Sequence, residues 1–274
     1  IIASMQAGAV SYLYYADRLY QLPLGIVGVA VGVVLLPDLA RKLRSGDRAA
    51  ALDSQNRSLE FAMLLTLPAA VGLALAAEPI IRVLFERGAF GASDTPATAW
   101  ALAAFALGLP SFVLIKVFQP AFFAREDTAT PMRFAIQNML VNVAGSVALF
   151  FVFRHLGLMP HIGIALATSL AGWVNAFMLW RTLARNGDFE SDARLRRNGV
   201  FVVLASVALG AVLLLMMPLL SPYLAIGQSV LVRAFALAAL VGAGMAVYAG
   251  LIVATGVLDS RQFARFFRRG QTPQ

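Results

Sequence analysis

Residues 8–25 read Gly8-Ala9-Val10-Ser11-Tyr12-Leu13-Tyr14-Tyr15-Ala16-Asp17-Arg18-Leu19-Tyr20-Gln21-Leu22-Pro23-Leu24-Gly25, and no charged residue follows until Asp38. A helix that crosses a bilayer needs about 20 mostly apolar residues. The stretch 8–36 exceeds that length with Asp17 and Arg18 as its only charges. The same test picks out 60–80, 97–122, 132–153, 161–183, 198–220 and 229–257, and residues 1–7 read as the stub of a further helix. The chain is 60% hydrophobic and 13% charged, against about 25% charged residues in soluble domains. The expected fold is therefore an all-α polytopic membrane protein with about seven transmembrane helices plus a helix stub. The chain begins Ile1-Ile2 without methionine, and no basic segment leads to a cleavage site, so its start reads as a cut inside a longer protein.

Charge sorts by connection. Arg41, Lys42, Arg44, Arg48 and Arg57 follow the first span. Arg125 and Arg133 follow the third, and Arg181, Arg185, Arg194, Arg196 and Arg197 the fifth. Arg261, Arg265, Arg268 and Arg269 follow the last. The alternate connections hold Arg82, Arg87 and Arg154. Cytoplasmic loops carry the excess of Lys and Arg, so the alternation supports the span count and predicts a cytoplasmic C-terminus. The net charge of +8 is thus membrane-orientation charge, and no nucleic-acid partner is expected. With no cysteine and only His155 and His161, neither a disulfide nor a metal site is expected, nor is a cofactor.

Arg18 is the candidate for function. It lies 10 residues from the start of its span, roughly 15 Å along a helix, where a charge costs at least about 2.5–3.5 kcal/mol. It needs water, a partner or a ligand, and a guanidinium in a wet cavity suits phosphate. Ser11, Tyr14, Tyr15 and Arg18 fall on roughly one side at helical spacing. Asp17 points about 100° away, so an ion pair with Arg18 is not guaranteed. The competing reading makes Asp17–Pro23 a surface turn between two short spans, with Arg18 interfacial.

Three stretches carry a family resemblance. The first is Ser11 to Gly25, running on to Gly28-Val29-Ala30 and Leu35-Leu36-Pro37. The second is Val83-Leu84-Phe85-Glu86-Arg87-Gly88-Ala89-Phe90. The third is Ala121-Phe122-Phe123-Ala124-Arg125-Glu126-Asp127-Thr128-Ala129-Thr130-Pro131. Together they resemble the MurJ/MviN lipid II flippases of the MOP exporter superfamily, specifically through about residue 135. The resemblance implies a 14-helix fold of two lobes around a cavity. This chain would hold the C-terminal half, from the end of helix 7 to helix 14, with the N-terminal lobe missing. Residues 1–190 would then be the second lobe. Residues 191–258 would be the last two helices with a possible lipid-tail groove, and 259–274 a basic cytoplasmic tail. Arg18 matches a cavity arginine, and Asp17 and Ser11 its polar neighbours. The implied activity is flipping lipid II, the undecaprenyl-pyrophosphate-linked muropeptide, from inner to outer leaflet by alternating access in the bacterial inner membrane, with membrane lipids as further partners.

Weaker candidates complete the reading. Lys116 either lines the cavity or snorkels to headgroups. Asn138, Asn142 and Thr168 form a possible cation-binding set. Amides without a carboxylate suit cations poorly, and hydrogen bonding between helices explains them, Ser169 and Asn175 as well. The tail arginines interleave with Phe263, Phe266 and Phe267 as an interfacial helix would. Other classes are a MOP-type exporter of lipid-linked oligosaccharides or drugs, which the Asp17-Arg18 context disfavours for cationic drugs, and a membrane glycosyltransferase. The acids such an enzyme needs would have to come from Asp188, Glu190 and Asp192, in a loop that reads as a linker, so no enzyme activity is expected.

Overall fold

The computed structural model describes residues 2–225 and 227–257; within α1 it describes the backbone, but not the side chains, of residues 29, 30 and 32–34. Among the described residues, eight α-helices follow a 3-10 turn at Ala3–Met5, which is all the helix described in the expected N-terminal stub. They are α1 (Ala9–Arg44), α2 (Arg48–Leu75), α3 (Ala77–Phe85), α4 (Asp94–Phe123), α5 (Ala129–His155), α6 (Pro160–Arg185), α7 (Ala193–Leu220) and α8 (Val230–Ala254). Among the described residues, α2 and α4 to α8 are each long and apolar enough to cross a membrane. α1 is longer than any of them, 36 residues in one continuous helix through Pro23 and Pro37. The surface-turn reading of Asp17–Pro23 is thereby overturned. The tail arginines and phenylalanines beyond residue 257 lie outside the described residues.

The expected span 60–80 divides. α2 stops at Leu75 and α3 begins at Ala77. Pro79 has no N–H to give the Leu75 carbonyl, which weakens the ladder at the point where α2 ends. α3 buries Ala77, Pro79 and Ile81, and turns Glu78 and Arg82 outward as an ion pair at 2.5 Å. It packs on α4, α8 and α2.

α4 is the most buried span and the axis of the bundle. α1 packs on one side of it, with the Tyr20 ring stacked 5.1 Å from Phe105 and 5.8 Å from Phe112. α6 packs on another side, nearly backbone to backbone. A Cβ on Gly108 would meet Ser169 Cα at 2.8 Å, and one on Gly172 would meet Ser111 Oγ at 2.5 Å. Ser169 Oγ donates to the Ala104 carbonyl at 2.7 Å across the same seam. Helices in lipid associate through such small-residue contacts and hydrogen bonds, because no hydrophobic force separates apolar side chains from apolar tails. α5 packs against α6 alone along most of its length and leaves its other faces uncovered. α7 rests on α2 at Gly210, and α8 on α7 at Gly244. Tyr248 Oη donates to the Leu64 carbonyl at 2.6 Å, so α8 is also pinned to α2.

Three of the basic connections meet at one end. Arg125 Nε pairs with Asp188 at 3.2 Å. Arg48 donates to the Gly187 carbonyl, and Asn56 Nδ2 to the Glu190 carbonyl at 2.9 Å. Arg57 bridges Asp192 and the buried Glu60, which also accepts from Asn198 at 2.5 Å and faces Arg194 at 3.5 Å. Asp192 doubles as the N-cap of α7, accepting from Leu195 N. Its burial would raise the carboxyl, but the Leu195 amide and the Arg57 guanidinium outweigh that and hold it below the ordinary range. Two of the three acids weighed for an enzyme, Asp188 and Asp192, are therefore engaged in ion pairs.

At the α1–α2 corner, beyond the apolar run, Asp38 takes Lys42 at 2.7 Å, Arg41 at 2.5 Å and the Ser54 hydroxyl. Lys42 first and Ser54 next pull its carboxyl down from 3.8 to about 2. A lowered folded value means stabilisation that is complete above the unfolded value and fades as pH falls through the folded one. The melting-temperature difference between the protein and Asp38→Asn should be constant from about pH 5 to 8, shrink as pH falls further and be gone by about pH 1. A second expectation concerns the seam. Gly108→Ala should lose about 1–3 kcal/mol of stability, read as a lower melting temperature in detergent. Gly172→Ala, which meets movable side chains, should lose less. Gly242→Ala, with nothing within 4 Å of the added Cβ, should show no packing loss.

Candidate functional site

The site grows from the N-terminal half of α1. Gly8 enters the helix at φ +76°, and a Cβ there would also strike the Tyr12 ring at 2.6 Å. Tyr12 Oη then donates to Asp94 Oδ1 at 2.8 Å, fixing this level of α1 to the start of α4. Beside it, His161 is fully buried. Its Nε2 lies 2.9 Å from the Ala97 carbonyl, and the Gln6 side chain caps its ring and its backbone N–H. These ties orient the helix so that one face stays open.

Arg18 is on that face. It lies six residues past Tyr12, about 9 Å further along the axis, and two before Tyr20, whose ring is locked on Phe105. The guanidinium is exposed; it donates to Tyr14 Oη at 3.0 Å and sits 4.9 Å over the Tyr14 ring. No carboxylate is paired with it among the described residues. Asp17 turns away, half-buried, and accepts from Gln21 Nε2. The open face thus carries Ser11, Tyr14, Arg18 and Gln21, all exposed, and then becomes apolar at Leu22 and Ile26. Tyr15 departs from the expected grouping: it packs on Phe85 at 4.8 Å and Phe90 at 5.4 Å, turned toward α3. Gln21 is the member that sequence reasoning left out, although its place three residues after Arg18 was a usable signal.

Lys116 is exposed on α4, and its Cγ would touch a Cβ on Gly28 of α1 at 3.6 Å. At 100° per residue Gly28 shares a side of α1 with Gln21 and Asp17. Lys116 therefore borders the same open side as Arg18, but about 15 Å further along the axis, so the two cations form separate points rather than one cluster.

The amide set sits between α5 and α6. Asn142 Oδ1 accepts from Ser146 at 3.1 Å and from Thr168 at 3.3 Å. Thr168 also donates to the Ile164 carbonyl at 3.0 Å. Asn138 Oδ1 is buried without a partner. Asn142 and Thr168 come together as a hydrogen-bonded pair, with Asn138 one turn away. Among the described residues no cluster of acidic or histidine side chains could hold a metal ion.

Bundle and open face together define a multi-pass helical membrane protein with an uncovered arginine on one helix. The chain belongs to the MurJ lipid II flippase family, whose model, described as "Lipid II flippase MurJ", matches residues 1–260. Among curated relatives it is 46% identical over 268 residues to a "Probable lipid II flippase MurJ" of Rhizobium tropici, covering 98% of this chain and 49% of that one. A protein of the same description from Vibrio cholerae is 34% identical, over 94% of this chain and 47% of that one. Among solved structures, "Lipid II flippase MurJ, inward closed conformation" superposes with a TM-score of 0.67 at 28% identity, covering 91% of this chain and 48% of that chain. The chain spans about half the length of the curated relatives it matches.

The lack of native cysteine makes single-cysteine labelling a direct test of the open face. Ser11→Cys and Arg18→Cys should react with a water-soluble maleimide at least about ten times faster than Tyr20→Cys, whose position is buried.

Proposed function

We propose that this chain is the C-terminal half of a lipid II flippase that moves the lipid-linked peptidoglycan precursor from the inner to the outer leaflet of a bacterial inner membrane. The observation that carries the reading is the Arg18 guanidinium, held on the open face of α1 with a tyrosine beneath it and no carboxylate to neutralise it. Membership of the family supports it. Arg18 binds the pyrophosphate of the precursor. Ser11, Tyr14 and Gln21 offer hydrogen bonds to the head, and Asp17 orients Gln21. Lys116 adds positive charge deeper on the same side. An N-terminal lobe of the same protein closes the cavity from the uncovered side, and the two lobes rock to expose it alternately.

The reading needs no covalent chemistry, since translocation is a change of access to one site. The C-terminus faces the cytoplasm. The gathering of the α1–α2, α4–α5 and α6–α7 connections at one end supports that orientation, because cytoplasmic connections concentrate arginine and lysine.

Truncating one partner of a desolvated charge pair costs about 2–5 kcal/mol, so Arg18→Ala should weaken head binding at least about tenfold, with Arg18→Lys between the two. In cells that rely on a full-length flippase carrying Arg18→Ala, lipid II should accumulate in the inner leaflet. Normal translocation with that variant would remove Arg18 from the mechanism.

A further inference from the structure

A second arginine stands apart from the open face. Arg233 is in the first turns of α8, at the end of the bundle opposite the basic connections. It is 9% exposed, and its Nε and Nη1 atoms are buried with no hydrogen-bond partner. An arginine near a helix end ordinarily snorkels its head outward. Here the protein itself covers the side chain, on the same face of α8 as the buried Ala236 and Leu240.

Leaving a guanidinium covered and unpaired is costly, and removing the partner of a buried charge destabilises by several kcal/mol. Among the described residues no carboxylate is paired with it. No Asp or Glu occurs between Asp192 and Asp259. At this end of the bundle Glu78 pairs with Arg82 at 2.5 Å, Glu86 accepts from Thr95 and lies 3.6 Å from Arg82 with its other oxygen buried and unpartnered, and Asp94 accepts from Tyr12; none of the three is paired with Arg233.

A side chain on a helix leans back toward the helix N-terminus, over the preceding turn. The Arg233 side chain is therefore directed at the start of α8. Ser229 caps that start by accepting from Val232 N at 3.3 Å, which leaves the Val230 and Leu231 amides for a ligand. Helix N-termini attract anions through their free amides and the helix dipole. A helix start and a covered, unpartnered guanidinium are independent features that ask for the same ligand.

We propose that Arg233 and the N-terminus of α8 bind a phosphate-bearing anion at the α7–α8 end of the bundle, with the phosphodiester of an anionic lipid headgroup or free phosphate as its source. The site is distinct from the Arg18 face, since α8 packs on α7, α3 and α2 and not on the open side of α1.

The test compares the full chain with Arg233→Met in detergent, using phosphatidylglycerol, phosphatidylcholine and inorganic phosphate as separate probes. Native mass spectrometry counts retained lipid, and thermal melting reads stabilisation. The protein should retain phosphatidylglycerol at least about tenfold better than Arg233→Met does, and should prefer it to phosphatidylcholine. Displacement of that lipid by millimolar phosphate would identify free phosphate as able to fill the site, and resistance would identify the headgroup. Equal phosphatidylglycerol retention by the two proteins overturns the proposal, as does an absence of response to both phosphatidylglycerol and phosphate. Should Arg233→Met not fold, Arg233→Lys keeps the charge and loses the planar fork. It should retain phosphatidylglycerol several-fold less well, and unchanged retention likewise overturns the site.

Discussion

The close approach of α4 and α6 is the constraint on which the rest of the bundle depends. In lipid, apolar side chains gain nothing by leaving one hydrocarbon for another, so helices are held by what only contact can supply. Gly108 against Ser169 and Gly172 against Ser111 bring two backbones together, and the Ser169 hydroxyl closes a hydrogen bond across them. With that seam formed, α4 can carry α1 on a second side through the Tyr20–Phe105 stack. α1 is thereby presented with one face packed and the other free.

Charge does different work at the two ends. At the basic end it is paired almost residue for residue: Asp38, Glu60, Asp188 and Asp192 each hold an arginine or lysine. This knot ties the connections between helices and docks the first turn of α7 on α2. Surface ion pairs alone are weak. Glu60 differs because it is buried and receives Arg57 and Asn198 together. On the open face the logic reverses, with Arg18 kept free of carboxylates by one residue of helical rotation between it and Asp17.

Much of this was legible in the residues. Long apolar stretches with alternating basic connections marked the spans and their common ends, because both follow from the cost of polar groups in hydrocarbon. Arg18 was legible for the same reason. The break between α2 and α3 was harder, since Pro79 marks a stop only when the helix before it is known to need the missing N–H, whereas α1 absorbs Pro23 and Pro37. The outward turn of Ser11, Tyr14, Arg18 and Gln21 was half visible from spacing. The turn of Tyr15 toward Phe85 and Phe90 was not, because it depends on where the last turn of α3 comes to lie beside α1. The isolation of Arg233 could not be read at all, as a lone arginine near a helix start looks the same whether it is covered by protein or reaching for water.

α1 carries a mechanical consequence. At 36 residues it is about 54 Å long, well beyond the ~30 Å thickness of bilayer hydrocarbon, so a bilayer crossing would require it to tilt or project. An unbroken rod of that length is a lever. From Asp38 to Ala9 is about 44 Å, so swinging it by about 10° around the Asp38–Ser54 corner, together with the α4 that Tyr12 and Tyr20 tie to it, carries its far tip through about 8 Å. The uncovered guanidinium lies nearer the tip than the fulcrum, so it travels with most of that stroke.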